Sequence, residues 1–385
     1  MYEGFRVIDA DAHFYEPWDI WDRYTESEFH SRRPRVEAYP GRARMEFAVD
    51  GVFFTGSQKK PGTDQRYREH AVKYGHAYNS WWSVESRLRD MESFGWDIQV
   101  SLPTNGTIGN VISRKDIKLG AALCRAYNNW ANDFCSASGG SVKFAAVAPG
   151  GDVAEEVIEL RRAVEELGAV TVMLPNPIEG KEWDQPEYEP LWNLGVELDL
   201  PFSLHGTGSR SGDPPLTQRY EERGSFYEAI YHAMDFPMEN MVALAHFMFS
   251  GLLDRYPALK VSVLESNCGW LPFWLHRLES CSEGRQSLTF YNEPLRSSAR
   301  EYFRRQCFIA CDVDEPGIGF AIDYVGDDRI VFNTDYPHFD APNPKDVLPM
   351  MLAQPIAKES VKKILWDNSV KLYGPRLLAG VGNLE

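Results

Sequence analysis

Near the N-terminus, Asp9-Ala10-Asp11-Ala12-His13 closes the apolar run Phe5-Arg6-Val7-Ile8; far along the chain, Asp335-Tyr336-Pro337-His338 closes Ile330-Val331-Phe332. Carboxylates and imidazoles are the side chains with which proteins hold divalent cations of the zinc, iron and manganese type. Two residues apart on an extended backbone, Asp11 and His13 point to one face, so a single ion can take both. Other apolar runs end in the same way. His205 follows Phe202-Ser203-Leu204, and Glu265 follows Val261-Ser262-Val263-Leu264. Burying charge is costly unless it is paired or bound to an ion, so such residues at strand ends point to chemistry rather than packing. Asp11, His13, His205, Glu265 and Asp335 are therefore candidate metal ligands. His338 is a candidate proton shuttle, and Glu265 is equally a candidate general base. His246 sits in Val242–Met248, a segment of helical pattern before the Glu265 run. It suits a metal ligand or catalytic group and a buried core histidine equally well.

The elements that position these residues are short apolar runs separated by helical patterns. Besides those already named, the runs are Ile98–Leu102, Phe144–Val147, Val170–Leu174 and Phe308–Ala310, which brings the number to eight. Continuous apolar runs fit strands buried on both faces. Strand and helix in alternation argue for a parallel sheet, and eight such units for a (β/α)8 barrel of the TIM type. A closed barrel sets its first strand beside its last and gathers active-site residues where the strands end, which would unite the two terminal clusters. Between the runs, Leu119, Leu123, Ala126, Tyr127, Trp130 and Phe134 form one helical stripe. Asp152 caps a second helix, with Val157, Leu160, Val164 and Leu167 as its stripe and Gly168 at its end. The expectation is one barrel domain over residues 1–385, with a long insertion after the first strand at about 26–83.

That insertion carries a hairpin signal, Asp50-Gly51 between Met45–Val49 and Val52–Phe54. It also holds an aromatic group around His76, namely Tyr74, Tyr78, Trp81 and Trp82, suited to walling a substrate pocket or to packing the insertion itself. Two further excursions, Gly206–Gly224 and Glu279–Arg300, lie outside the barrel rhythm; the second is charged enough to serve subunit contacts.

The formal net charge is −16, 43% of residues are hydrophobic, and there is no Lys/Arg tract. Such a chain is a poor partner for nucleic acid or an anionic membrane surface. No apolar stretch reaches the length needed to span a bilayer, and no signal-peptide pattern opens the chain, so a cytoplasmic location is expected. The six cysteines are scattered with no CxxC pair and read as reduced core residues.

The motifs in their order resemble the amidohydrolase superfamily, in the branch of aminocarboxymuconate-semialdehyde decarboxylase and related non-oxidative decarboxylases, hydratases and hydrolases. The carrying residues are Ile8–His13, His205-Gly206, Gly251–Lys260, Glu265 through Gly269–Phe273, and Thr334–His338. The resemblance implies a metal-dependent barrel enzyme in which the strand-one motif, the strand-five histidine and the strand-eight aspartate bind a divalent cation, and a histidine near the sixth strand assists. Two positions depart from that pattern: the strand-one His-x-His reads Asp11-Ala12-His13, and the sixth-strand histidine reads Glu265. Three carboxylates with two or three imidazoles exceed what one four-coordinate zinc needs and suit iron or manganese, with zinc still possible. The expected cofactor is one or two divalent ions, with a two-metal site bridged by Asp335 or Glu265 favoured over a one-metal site in which Glu265 is the general base. The expected reaction is metal-activated hydrolysis of an acyl bond in a small-molecule substrate. Decarboxylation of an aromatic or unsaturated carboxylate is the near rival. Oxygen activation at a di-iron or iron–manganese centre, and a non-catalytic partner subunit, are further ones. The expected assembly is a homo-oligomer or a pair with a related subunit.

Overall fold

The computed structural model describes residues 1–38, 45–54, 63–174, 177, 180–205, 217–223, 225–282 and 295–382. Its first strand is β1 (Ile8–His13). Three strands of the insertion follow, β2 (Arg35–Ala38), β3 (Met45–Val49) and β4 (Val52–Phe54). The remaining seven are β5 (Ile98–Leu102), β6 (Val142–Ala146), β7 (Thr171–Met173), β8 (Phe202–His205), β9 (Val261–Leu264), β10 (Cys307–Cys311) and β11 (Ile330–Phe332). The large sheet runs β1-β5-β6-β7-β8-β9-β10-β11, and every pairing in it is parallel. It closes at its mouth: the Asp335 amide donates to the Asp11 carbonyl (2.9 Å) and the His13 amide to the Tyr336 carbonyl (2.6 Å). The fold is an α/β barrel of eight parallel strands, and all eight runs expected from the sequence form its staves.

Strands buried on both faces divide the apolar residues into two layers. Val7, Phe144, Val172, Phe202, Val263, Ile309 and Phe332 pack in the large core shared with the surrounding helices. Ile8, Val100, Ala145, Leu264, Phe308, Ala310 and Val331 form a second cluster, joined by Tyr373 and Leu377 near the C-terminus. The helix Ile117–Ala137 buries Leu119, Leu123, Ala126, Tyr127 and Trp130, as its periodicity requires. Asp152 caps the helix Val153–Glu165 by accepting from the amides of Ala154 (2.8 Å) and Glu155 (3.3 Å).

Between β1 and the helix Val84–Phe94 lies the insertion. Its strands β2, β3 and β4 pair antiparallel, and Asp50 (φ 48°) and Gly51 (φ 78°) make the left-handed hairpin turn expected of Asp-Gly. The helix Thr63–Asn79 follows. Of the two other excursions, residues 206–216 and 224 of the first and 283–294 of the second fall outside the described residues. Among the described residues no helix is long and apolar enough to cross a membrane.

Candidate active site

The strand-end candidates converge at the mouth. One ligand atom from each of Asp11, His13 and His205 lies within 4.8 Å of the others, and the same holds for His13, Asp335 and His338. His13 Nε2 and His205 Nε2 are 3.1 Å apart. Asp11 Oδ1 is 3.5 Å from His13 Nε2 and 3.8 Å from His205 Nε2, and Asp335 Oδ1 is 3.5 Å from His13 Nε2. Ligands at about 2.1 Å from a common ion, at tetrahedral or octahedral angles, stand about 3.0–3.4 Å from one another, close to this spacing. Glu265 also arrives, its Oε2 2.7 Å from His205 Nε2. Glu265 (φ 45°) and Asp335 (φ 52°) both have left-handed backbones just past their strands, a local strain that recurs at functional sites.

The donors fit a divalent cation for a further reason. Both carboxylate oxygens of Asp11 are buried without a hydrogen bond. Oxygens in that condition forfeit their hydration unless a cation compensates them. The electrostatics agree. Burial first, then the neighbouring Glu265, Asp335 and Asp9, pushes the Asp11 carboxyl well up against the pull of His205. Burial and Asp335 do the same to Glu265. Burial, followed by His338 and His205, pushes His13 well down, and burial lowers His205. A cation favours ionised carboxylates and neutral imidazoles, so it takes the place of the protons these groups otherwise hold.

His338 stands beside this group. Its ring centre is 4.1 Å from that of His13, Nδ1 is 2.7 Å from Asp335 Oδ1, and Nε2 is 3.1 Å from Thr104 Oγ1. Burial works against its charge, but Asp335, then Glu265 and Asp340, outweigh burial and raise it to about 9.

His246 does not join them. It lies in the last turn of the helix Ser225–Phe249, with Nε2 3.1 Å from Asp184 and its ring 5.9 Å from Trp183. That helix reaches the mouth with its other end, where His232 Nδ1 is 3.6 Å from Asp340 of the loop after β11. At about 1.5 Å per residue, His246 is displaced roughly 21 Å along the axis from His232. Helical pattern next to a strand is local information; which end of a long helix faces the mouth is not.

Several residues that support the site carry no such signal in the sequence. The pairing of β1 with β5 is irregular between Asp9 and Ala12, a bulge that resets the alternation. Asp9 therefore stays out of the cluster and stitches the barrel instead, accepting from Gln99 Nε2 (2.9 Å), Thr334 Oγ1 (2.6 Å) and the Thr334 amide (3.1 Å). Arg87, fully buried, donates to Gln99 and to the His13 carbonyl and lies over the Tyr336 ring at 4.6 Å. Glu16 accepts from the amides of Thr104, Asn105 and Gly106 at 2.9–3.0 Å and so fixes the loop that presents Thr104 to His338. On the insertion side, Tyr15 stacks on Trp82 (5.2 Å) and meets the His338 ring edge-on (5.7 Å). Of the expected aromatic group, Tyr74, Tyr78 and Trp82 cluster around His70, whereas Trp81 is 72% exposed.

Comparison with known proteins bears on what such a mouth does. The chain is 28% identical over 231 residues to the gamma-resorcylate decarboxylase of Polaromonas sp. (strain JS666 / ATCC BAA-500), covering 56% of this chain and 65% of that protein. It is 26% identical over 179 residues to the 2-amino-3-carboxymuconate-6-semialdehyde decarboxylase of Dictyostelium discoideum, covering 46% of each. The chain thus spans about half to two thirds of the length of these two relatives. A 5-carboxyvanillate decarboxylase from Novosphingobium aromaticivorans DSM 12444, solved with manganese and 4-hydroxy-3-methoxy-5-nitrobenzoic acid, superposes with a TM-score of 0.68. That match is 19% identical and covers 97% of each chain, so it establishes the fold. The relatives are decarboxylases, and this overturns the expectation of acyl-bond hydrolysis. The physical reason is that a cation able to activate water is equally able to hold a carboxylate, so a ligand set alone does not choose between the two reactions. A model of the amidohydrolase family matches residues 76–374, well over half of the sequence, and the chain belongs to that family.

Proposed function

We propose that this protein is a metal-dependent, non-oxidative decarboxylase of an aromatic carboxylate. The observation that carries the reading is the grouping of Asp11, His205 and Asp335 around His13 Nε2 at 3.1–3.5 Å, with both oxygens of Asp11 unpaired, in a chain whose relatives remove carboxyl groups. Those four residues would hold one divalent ion. Manganese takes carboxylate ligands such as Asp11 and Asp335 and is the ion bound in the structurally similar 5-carboxyvanillate decarboxylase. When bound, the ion supplies a fixed positive charge that orients an anionic substrate and steadies negative charge developing on it.

The chain's own residues do the rest. Loss of CO2 from an aryl acid requires a proton at the ring carbon that bears the carboxyl group. The electrons of the breaking carbon–carbon bond then return to the ring. Glu265 and His338 flank the ligand group and are the side chains there that can hold and deliver that proton. Asp335 orients His338 through Nδ1, and Thr104 meets its Nε2, so the imidazole is held from both sides. Tyr15, with Trp82 stacked behind it, presents an aromatic face beside His338 against which a planar ring can lie.

The test is turnover of manganese-loaded protein with gamma-resorcylate, 5-carboxyvanillate and related hydroxybenzoates, run in D2O. The expected result is release of CO2 with one deuterium at the vacated ring carbon. Metal-replete protein that decarboxylates none of a broad panel of aryl acids would overturn the reading.

A further inference from the structure

Loops after barrel strands are usually held by the barrel itself. The loop after β11, which carries Asp335, His338 and Asp340, is held in addition from outside. Three side chains of the insertion helix Thr63–Asn79, spaced i, i+3, i+4 on one face, donate to its main-chain carbonyls. His70 Nε2 is 2.8 Å from the Pro337 carbonyl, which can only accept, so that nitrogen carries the hydrogen. Tyr74 Oη donates to the His338 carbonyl at 2.9 Å. Lys73 Nζ donates to the Phe339 carbonyl at 3.3 Å and to that of Ala341.

His70 and Tyr74 are 6% and 4% exposed, and Trp82 stacks on the His70 ring at 5.1 Å, so neither side chain is free to swing away. At its start the same loop is pinned to β1 through the Asp335 amide. It is therefore gripped at both ends, once by the barrel and once by a segment more than 260 residues away in sequence.

We propose that His70, Lys73 and Tyr74 are positioning residues: by holding the carbonyls of residues 337–341 they set Asp335 and His338 in place at the metal site. This rests on the reading of that site as a metal centre. Outer residues that orient metal ligands typically contribute about 10–100-fold in metal affinity or activity. None of the three touches the ligand atoms, so their effect must travel through the loop's main chain.

The experiment uses the full chain and the variants Tyr74→Phe, His70→Phe, His70→Gln and the pair His70→Phe with Tyr74→Phe. The exposed Val72→Ala serves as a control on the same helix. Three readouts are taken: amide hydrogen exchange of the 336–341 segment in metal-free protein, manganese affinity by the electron paramagnetic resonance of free Mn2+, and the kcat and KM of decarboxylation. The double variant should exchange that segment faster, bind manganese about tenfold or more weakly and lose kcat more than it gains KM. His70→Gln, whose amide can still donate, should recover most of the loss, and Val72→Ala should match wild type.

Unchanged exchange at 336–341 overturns the clamp. Faster exchange with unchanged manganese affinity and kcat overturns its positioning role. Wild-type protein that binds no manganese overturns the metal reading and the positioning role with it, but leaves the exchange difference to show the clamp itself. Tyr74→Phe removes one hydroxyl and no packing volume, so it reports even where the larger changes prevent folding.

Discussion

At the mouth of the barrel, Asp11, with both carboxylate oxygens lacking a hydrogen bond, lies among His13, His205 and Asp335, whereas in the outer layer His246 Nε2 stands 3.1 Å from Asp184. The outer layer also buries a carboxylate: Glu156 of the helix Val153–Glu165 is fully buried and both its oxygens are unpaired. Burial and lack of a partner are therefore shared by the two regions and do not by themselves mark a site. What distinguishes the mouth is convergence: Asp11, His205 and Asp335 lie 3.1–3.5 Å from His13 Nε2, and Glu265 lies 2.7 Å from His205 Nε2. Among the described residues neither Glu156 oxygen has a hydrogen-bond partner, so a proton compensates its burial. Burial, helped by Asp152, raises its carboxyl to about 8.

The largest effect should come from breaking the convergence. Asp335→Asn or His205→Gln should weaken manganese binding by more than about a hundredfold, beyond the range of outer-shell changes, and abolish turnover. His246→Gln should leave both within about twofold. Metal titration of the three variants checks this, and equal losses in all three would erase the distinction between the regions.

Next is the proton path. His338→Gln should lower kcat by on the order of a hundredfold at unchanged metal content, measured by steady-state kinetics on metal-analysed protein. Near-normal turnover would leave His338 as loop structure.

The outer layer should show itself in stability rather than activity. The folded value of Glu156 lies above its ordinary value of 4.5, so the folded state holds the extra proton between about pH 4.5 and 8. Its contribution is fully present below that window and is lost as pH rises through it, by about 1.4 kcal/mol per pH unit at most. Glu156→Gln should flatten this fall without changing turnover. Chemical denaturation at pH 5 and pH 8 measures the difference; identical pH slopes in wild type and variant would refute it. The smallest effect belongs to the Asp152 cap. Asp152→Ala should cost about 1 kcal/mol by removing the acceptor for the Ala154 and Glu155 amides, read by denaturation at pH 5, where Glu156 is protonated in either protein.

How much of this was readable in the residues follows from the range of the forces involved. The eight staves, the Asp152 cap and the Asp50-Gly51 turn are set by neighbours a few residues apart, and each is where the periodicity and turn chemistry place it. Asp11, His13, His205, Glu265 and Asp335 could be singled out because a barrel brings the residues at and just past its strand ends to one mouth. The choice between hydrolysis and decarboxylation was not readable, because both reactions use the same donors.

Other features waited for the tertiary structure. Asp9 has the same alternation as Asp11, yet a bulge visible only in the pairing with β5 separates them. His246 has the sequence setting of a ligand, yet the length of its helix carries it away from the mouth. The grip of His70, Lys73 and Tyr74 on residues 337–341 joins segments with no shared pattern. Local sequence determines strands, caps and turns because the bonds that make them are local. Which buried carboxylate meets two imidazoles and which meets none is decided only when the barrel closes and brings distant strand ends within a few ångströms.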